Sequence, residues 1–409
     1  MQINKTKILW ISRFAPLSSA SAGGSQTFNY YFKKFTGDSR FEIRLISCGF
    51  YKEKKSVEEE NCNIPHSIIY WGDPSQSFIC KTLNIESRIN PWNRYASLLS
   101  NSDVIFIKKA IKKYICDGFI PDVVILEWTN MVMLAGYIKK VIPSAKIIAS
   151  EHDVTFVGYK RKSQFFKGIK KIIWQQKYYH EKHLEIRNLK KCNLILPHNA
   201  DNKSILENNG LITNRIHGLV PYYSNLASVE RKPNNRDIIF FGAMARSENS
   251  LSAKWFIDNV MPLISDLDIR FVIVGSNPPE ELKNLESTHI HITGFVDSVV
   301  PYFESAMCLV APLVLGAGIK IKVLEALSSG ITVLTNELGI EGIPAIDGIH
   351  YLHCESPKEY EKKIREIVNN KLDVETISIK AKEFIQNTFS VSKSAHEYMD
   401  EVIELGETR

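Results

Sequence analysis

The chain has 409 residues, too many for one ordinary hydrophobic core and enough for two domains of roughly 200 residues each. With 44% hydrophobic and 23% charged residues, its composition is that of a soluble globular protein. The 51 basic and 45 acidic residues leave a net charge of +6, an excess too small to indicate nucleic-acid binding by itself.

The seven cysteines are scattered without a C-x-x-C pair, which argues against a disulfide framework or a zinc knuckle and predicts a reducing compartment. The first apolar stretch has the length of a strand rather than that of a signal peptide. The longest uncharged apolar run, 307–319, has 13 residues, whereas a membrane-spanning helix takes about 20. We therefore predict a cytoplasmic protein, and a peripheral position on the inner face of the plasma membrane stays open.

Short β-branched runs alternate with amphipathic helical stretches along the whole chain. Most of the runs lack polar alternation, as is typical of parallel strands that are covered on both faces. The strand candidates are 7–12, 42–47, 67–71, 122–127, 146–150, 193–197, 237–242, 269–275, 289–294, 307–312, 331–335 and 349–353. This alternation predicts an α/β fold of two doubly wound, Rossmann-like domains.

The domain boundary is expected where residues 211–236 carry neither a helical nor a strand pattern and end in a Pro/Asn/Arg cluster. We assign 1–215 to an N-terminal domain, 216–236 to a linker and 237–388 to a C-terminal domain. The last helix, in 389–409, is expected to pack back on the N-terminal domain. Ligands of open parallel sheets bind outside the carboxyl ends of the strands, so the site is expected in the cleft between the domains.

One segment, GAGIKIKVLEALSSG at 316–330, has features that a purely structural helix does not need. Gly316 and Gly318 let an anion approach the backbone at a helix N-terminus, where free N–H groups and the helix dipole favour negative charge. Lys320 is predicted in the first helical turn, directed at phosphate. Glu325 is seven residues past Gly318, roughly 10 Å along the helix axis, where it can accept hydrogen bonds from both hydroxyls of a ribose. The segment predicts a nucleoside diphosphate lying along one helix.

A structural alternative remains open on spacing alone. Lys322 and Glu325 could form an i,i+3 ion pair while the glycines make an ordinary turn. The segment is not the dinucleotide fingerprint, because G-x-G-x-x-G is absent and the glycine loop follows a late strand of its domain.

The second half of the chain resembles the group 1 glycosyltransferases, which are retaining enzymes with the two-domain GT-B fold. The resemblance runs in unbroken order through DIIFFGAMARSENS, WFIDNVMPLI, IRFVIVGSNPP, ITGFVDSVVPYFESA and VAPLVLGAGIKIKVLEALSSGITVLTNELGIEGI. The first half is similar more weakly, through WISRFAPLSSASAGGSQTFNYYFKKF and IIASEHDVTFVGYKRK. The resemblance implies two Rossmann-like domains that face each other across a cleft.

The resemblance also implies roles for residues of the second half. Glu325 is similar to the ribose-binding glutamate of the family, and Gly318, Ile319 and Lys320 match the backbone that holds the diphosphate and the donor sugar. The loop that flanks the base and the loop after the first strand of the donor domain are matched by Phe295, Val296 and Gly242.

Two departures from the family pattern concern charged positions. Many members carry a glutamate eight residues before the ribose glutamate, where this chain has Ala317. Many also carry an arginine and a lysine after the first strand of the donor domain, where this chain has Ala243 and Glu248. Arg246 is the nearest cation and is expected to substitute. The departures fit a subgroup with G-x-G-x-K-x-K, and a degenerate, inactive copy is the alternative.

Two stretches of the first half are candidates for the same site. Gly23 and Gly24 lie between a strand and a helix, where bare backbone can approach a ligand or a donor phosphate; an ordinary turn is the alternative. His152 follows a strand between two carboxylates and resembles the histidine that faces the donor sugar in the family. A structural histidine is its alternative.

Two patterns imitate metal sites. The D-x-D at 266–268 separates a helix from a strand, and His180 and His183 share a helix spacing without a third ligand. We interpret them as a turn and an exposed helix face, and predict neither a metal site nor a bound cofactor.

The segment 160–191 has eleven Lys or Arg residues against Glu181 and Glu185, with aromatic and aliphatic residues interleaved. A basic amphipathic helix of this kind suits an anionic membrane surface. A solvated face whose lysine stems cover the core is the alternative. Nucleic acid is not expected, since no recognised binding motif accompanies the segment.

Together these features predict a metal-independent, retaining glycosyltransferase. It would move a sugar from a UDP- or GDP-sugar to a saccharide or lipid-linked saccharide, in bacterial surface polysaccharide biosynthesis. His152, Lys320 and Glu325 are the expected catalytic residues. A nucleotide-sugar epimerase of the same fold and an inactive glycan- or membrane-binding relative are the alternatives. The sequence does not specify the donor base, the sugar, the acceptor or the linkage.

Overall fold

The computed structural model describes residues 5–20, 22–75, 95, 99–234, 236–316 and 318–408. The chain divides into two compact units. Unit 1 comprises Met1–Tyr222 and Val391–Arg409, and unit 2 comprises Tyr223–Ser390. The last helical segment thus belongs to the same unit as the first half of the chain.

Unit 1 contains a parallel six-stranded sheet in the order β3-β2-β1-β4-β5-β6. Its strands are β1 Thr6–Ser12, β2 Phe41–Phe50, β3 His66–Trp71, β4 Val123–Glu127, β5 Lys146–Glu151 and β6 Leu194–Pro197.

Unit 2 contains a second parallel six-stranded sheet, in the order β12-β11-β10-β7-β8-β9. Its strands are β7 Asp237–Phe241, β8 Arg270–Val274, β9 Ile290–Gly294, β10 Cys308–Ala311, β11 Thr332–Thr335 and β12 Leu352–His353. Numbered within its own unit, each sheet has the doubly wound strand order 3-2-1-4-5-6.

The helices connect the strands in chain order. Those of the first half are α1 Gly23–Thr36, α2 Lys54–Glu60, α3 Asn101–Cys116, α4 Thr129–Val132, α5 Ala135–Val141, α6 Thr155–Phe165, α7 Gly168–Leu189 and α8 Ala200–Glu207. The second half has α9 Ser247–Asn259, α10 Glu280–Lys283, α11 Val300–Ser305, α12 Ile321–Ser329, α13 Glu337–Ile340, α14 Pro357–Val368, α15 Val374–Thr388 and α16 Val391–Glu407.

Every predicted strand is present, and the predicted fold of two doubly wound α/β domains is confirmed. Two strands differ most from their predicted bounds. β2 is longer than the predicted 42–47, and β12 is shorter than the predicted 349–353 because only Leu352 and His353 pair with β11. The apolar runs were reliable because both faces of these strands are covered: every residue of β4 and β11 is buried.

Trp10 of β1 lies at the centre of the aromatic core of unit 1. Its fully buried ring is 5.1 Å from the ring of Phe35 and 5.4 Å from that of Phe32, both on α1, and 6.4 Å from that of Tyr398 on α16. Truncating a buried aromatic residue to alanine typically costs about 3–5 kcal/mol. The cluster therefore fixes α1 and α16 on the same face of the sheet.

The helix ends of unit 2 carry local signals that the sequence displays. α14 begins with a capping box, in which the Ser356 hydroxyl accepts the Glu359 N–H and the Glu359 carboxylate accepts the Ser356 N–H. α12 ends at Gly330, whose φ of 75° is a left-handed conformation that glycine adopts without strain.

The strand orders define where each unit can hold a ligand. The order reverses between β1 and β4 in unit 1 and between β7 and β10 in unit 2. Ligands of doubly wound sheets bind outside the carboxyl ends of the strands at such a reversal. The loops that follow these four strands, and their immediate neighbours, are therefore the places to examine.

Candidate functional site

In unit 1, a buried hydrogen-bond network surrounds His152, which follows β5. His152 Nε2 lies 2.7 Å from Glu127 Oε1, at the end of β4. The Ser150 hydroxyl donates to the same oxygen at 2.7 Å and lies 3.2 Å from His198 Nε2. Trp10 donates its indole N–H to the other carboxylate oxygen at 2.9 Å. The network therefore links the carboxyl ends of β4, β5 and β6.

The charges of this network follow from burial. Burial lowers the pKa of His152 from 6.5 to about 3, so its imidazole is neutral near pH 7. Burial raises the pKa of Glu127, while His198 and the donors Ser150 and Trp10 act in the opposite direction. Because several donors converge on Glu127, we infer that its carboxylate is ionised and accepts the proton on His152 Nε2. This arrangement leaves Nδ1 of His152 as a hydrogen-bond acceptor.

Gly24 and Trp128 enclose the His152 ring. The Trp128 and His152 rings are stacked with centroids 4.4 Å apart. A Cβ on Gly24, in the first turn of α1, would lie 3.2 Å from His152 Nδ1 and 3.3 Å from the Trp128 indole nitrogen, so the site tolerates little more than glycine there. Trp128 has a φ of 70°, a strained conformation for a bulky residue that is typical of functional sites. Gly23 is the first residue of α1.

Glu127, His152 and His198 are also a possible metal ligand set, since one ligand atom of each lies within 4.8 Å of the others. No other such group of three occurs in the part of the chain that the structure describes. Ligand atoms around a tetrahedral zinc ion are roughly 3.3 Å apart. The 2.7 Å between His152 and Glu127 is instead the length of a hydrogen bond, and Ser150 bridges Glu127 to His198.

The other patterns that imitate metal sites have structural roles. Asp266 accepts two hydrogen bonds from Arg365, at 2.7 and 2.9 Å, and Asp268 pairs with Arg236 at 3.4 Å. His183 is exposed on α7.

In unit 2, the glycine-rich loop after β10 leads into α12, as predicted, and both Gly316 and Gly318 have positive φ angles, of 136° and 74°. The position predicted for Lys320 was wrong by one residue. Lys320 is the N-cap in an extended conformation, and the helix begins at Ile321. The buried Lys320 ammonium contacts the Gly318 carbonyl and forms an ion pair with Glu341 at 3.1 Å.

Glu325 is buried on α12, and its burial raises the pKa of the carboxyl group. Its Oε1 accepts the backbone N–H of Ser224 at 3.1 Å. The i,i+3 alternative is not what the structure has, because the Lys322 ammonium turns instead to Asn249 Oδ1 of α9, at 2.5 Å. Glu325 and Lys322 therefore have separate partners although they lie one turn apart on the helix.

Lys322 is the residue of this site that the sequence analysis missed. Its ammonium lies 3.1 Å from the place that a Cβ on Gly242 would take, directly after β7, and 4.5 Å from the ring centroid of Phe240. Burial, followed by the charges of Arg246 and Lys320, lowers its pKa from 10.5 to about 7. The alternating lysines of G-x-G-x-K-x-K were the available signal.

The remaining predicted residues lie on neighbouring loops of unit 2. Arg246 is the N-cap of α9, and its Nε is 4.0 Å from Glu248 Oε2. Phe295, directly after β9, is 75% exposed, and Val296 is partly buried beside it. Ile319 is partly buried before Lys320. Ala317 lies outside the described residues.

A cavity of about 560 Å³ lies elsewhere, between α3, α5 and α7 of unit 1. Among the residues that the structure describes, its lining includes four basic side chains and no carboxylate: Lys108, Lys140, Arg187 and Lys191. None of the predicted site residues belongs to it.

Comparison with known proteins agrees with the sequence resemblance. Residues 235–370 match the model of the family described as Glycosyl transferases group 1. A Klebsiella pneumoniae protein, an uncharacterized 44.6 kDa protein in the cps region, is 25% identical over 171 residues, which are 39% of this chain. The match spans 44% of that relative's length.

Solved structures of low sequence identity share the fold over nearly the whole chain. Sucrose-phosphate synthase from Thermosynechococcus elongatus aligns with a TM-score of 0.70 at 12% identity, covering 98% of this chain and 99% of that one. Anabaena HepE in complex with UDP aligns with a TM-score of 0.65 at 9% identity, covering 98% and 100%. S. aureus TarM, as a mutant in complex with fondaparinux, alpha-GlcNAc-glycerol and UDP, aligns with a TM-score of 0.65 at 11% identity, covering 98% and 100%. These likenesses confirm the predicted GT-B fold.

Proposed function

We propose that the protein transfers a sugar from a nucleotide-sugar donor, a UDP- or GDP-sugar, to a saccharide or lipid-linked saccharide, because residues 235–370 match the family model of group 1 glycosyltransferases. One observation carries this proposal: at the strand-order reversal of unit 2, a glycine-rich loop, the N-cap Lys320 and then Lys322 and the buried Glu325 of α12 follow one another. These are the groups that a diphosphate and a ribose require.

The donor nucleotide would lie along α12. The diphosphate would meet the free N–H groups that follow Gly318, where the helix dipole favours an anion. Glu325 would accept the ribose hydroxyls, and Phe295 with Val296 would flank the base. HepE is described in complex with UDP and with UDP-glucose, which supports a uridine nucleotide as the first donor to test.

His152 would contact the sugar of the donor. Its Nδ1 can accept a hydrogen bond from a sugar hydroxyl because Glu127 takes the proton on Nε2. The ionised Glu127 beneath it would also favour positive charge that develops at the sugar ring. Gly24 lets the start of α1 pack closely against the imidazole, since a Cβ there would lie 3.2 Å from Nδ1.

We propose a retaining transfer that needs no metal ion, as the family resemblance implies. Without a metal, the protein must itself stabilise the leaving diphosphate, and the α12 N-terminus and the cations Lys320 and Arg246 would contribute to this. Lys320 would act there indirectly, since its ion pair with Glu341 orders the loop.

A panel of UDP-, GDP- and ADP-sugars, with and without candidate acceptors, tests this function. We expect nucleoside diphosphate release that depends on an acceptor, a product with the anomeric configuration of the donor, and equal rates with and without EDTA. Isomerised sugar without an acceptor would indicate an epimerase instead. Nucleotide binding without turnover on any donor and acceptor would indicate an inactive binding protein.

A role in bacterial surface polysaccharide biosynthesis is supported by the relative from the cps region. The acceptor in such a role would be lipid-linked, and we place the protein at the inner face of the plasma membrane for that reason. None of the helices in the described ranges has the length and apolar character to cross a bilayer.

The basic segment 160–191 supports binding to an anionic bilayer. Residues 167–173 are exposed along their whole length, and Ile169 is 77% exposed. Both acidic residues of the segment, Glu181 and Glu185, are fully buried, so they do not offset the lysines at the surface. Exposed isoleucines among lysines match an interface of apolar chains and anionic headgroups.

We expect a K170Q/K171Q variant to bind vesicles containing anionic lipid roughly 30-fold more weakly than wild type, since each lysine near such a surface contributes about 1 kcal/mol. Flotation with anionic and neutral vesicles measures this. The control K358Q/K362Q makes the same change of charge on the exposed face of α14 and should bind like wild type. Equal wild-type recovery from both kinds of vesicle would contradict the proposed surface.

A further inference from the structure

Two lysines leave the start of α12 in different directions. Lys320 forms an ion pair with Glu341 and contacts the Gly318 carbonyl, so both of these partners of its ammonium are protein groups. Lys322 reaches the end of β7, which is the neighbour of β10 at the strand-order reversal. A side chain from α12 thus enters the loop that follows β7.

The surroundings of Lys322 are those of an anion site. Its hydrogen-bond acceptor, Asn249 Oδ1, is a neutral amide oxygen, and the nearby guanidinium of Arg246 and ammonium of Lys320 repel its charge. Glu248 attracts it, but Glu248 also lies 4.0 Å from Arg246. Lys322, Arg246 and Lys320 thus lie near one another beside the start of α12. Both burial and the neighbouring cations disfavour the charged form of Lys322, so an anion bound there would be stabilised.

We propose that Lys322 binds the diphosphate of the nucleotide-sugar donor, in place of the cations that similar enzymes carry in the loop after β7. This inference rests on the proposed function. It explains why Ala243 and Glu248 can stand at the positions of those cations, because the Lys322 ammonium from α12 lies beside the same loop. It also makes the second lysine of G-x-G-x-K-x-K the phosphate ligand and the first a positioning residue.

Proton uptake is the distinctive consequence. In the free protein Lys322 loses its proton near pH 7. A diphosphate beside the ammonium favours the charged form, so binding at about pH 8 should take up most of one proton. Affinity should fall as the pH rises above 7. The groups that face Lys322 are Lys320 from α12, Arg246, Glu248 and Asn249 from α9 and its cap, and Phe240 from β7.

Titration calorimetry with UDP, GDP and ADP tests the proposal, in buffers of different ionisation enthalpy. For the nucleotide that wild type binds best, we expect K322M to lose about 10–100-fold in affinity and the proton uptake. K322R keeps a charge that does not titrate, and it should bind without proton uptake at about pH 8. K358M makes the same chemical change on α14 and should behave like wild type.

The outcomes separate the two proposals. If wild type binds none of the three nucleotides, the proposed function fails. If wild type binds and K322M, shown to be folded by its thermal unfolding, binds equally well, this inference is overturned while the function stands. Proton uptake by K322M equal to that of wild type would overturn it as well, because the proton would then not be taken up by Lys322.

Discussion

Replacing His152 by alanine should slow nucleoside diphosphate release from the preferred donor by about 100-fold or more, since a positioned hydrogen-bonding or acid–base group typically contributes that much. The affinity for the free nucleotide should be unchanged, because the nucleotide-binding groups belong to unit 2. With a pKa of about 3, His152 is neutral throughout the usual assay range. The pH profile of the wild-type rate should therefore have no inflection near the ordinary histidine pKa that depends on His152.

Two further variants separate chemistry from folding in this prediction. E127Q weakens the acceptor of the Nε2 proton and should cost about tenfold in rate, with a smaller effect than H152A. H183A removes an exposed histidine of α7 and should leave the rate within about twofold of wild type, as surface substitutions usually do. A fully active H152A would show that His152 is a structural residue only.

Replacing Glu325 by alanine should lower the affinity for the preferred nucleoside diphosphate by about 10–100-fold, because two hydrogen bonds to a carboxylate are lost. Glu325 also accepts the Ser224 N–H, so E325A removes a structural contact as well. E325Q is the matched variant, since its carbonyl oxygen can still accept that N–H.

The 2′-deoxy nucleotide makes this second prediction specific. Wild type should prefer UDP over 2′-deoxy-UDP by roughly tenfold, and E325A should bind both equally, because the missing hydroxyl then has no partner to lose. Competition binding measures the two ratios. If E325A still prefers UDP over 2′-deoxy-UDP by the wild-type ratio, Glu325 does not bind the 2′-hydroxyl, even if the overall affinity has fallen.

The fold was predictable because the strands are buried on both faces and therefore appear as uninterrupted apolar runs. The C-terminal end of α12 was predictable for a different reason: Gly330 adopts the left-handed conformation that favours glycine. The signals for both are local, so no knowledge of distant contacts was required.

The partners of the site residues were not predictable, because they depend on contacts across the sheet. Glu127 and Ser150 look like ordinary strand residues, and only their place at the carboxyl ends of β4 and β5 connects them with His152. Lys320 was misplaced because an N-cap and a first-turn residue differ by one position in sequence but point in different directions. The burial of Glu181, which belongs to the basic helix α7 itself, had no sequence signal.

The measurement that tests the central claim most directly is a crystal structure of the protein soaked with UDP or GDP. The account predicts the diphosphate at the start of α12, in contact with the backbone after Gly318 and with Lys322, and the ribose hydroxyls on Glu325. A nucleotide bound only elsewhere, such as in the basic cavity of unit 1, or an empty α12 site at saturating nucleotide, would contradict it.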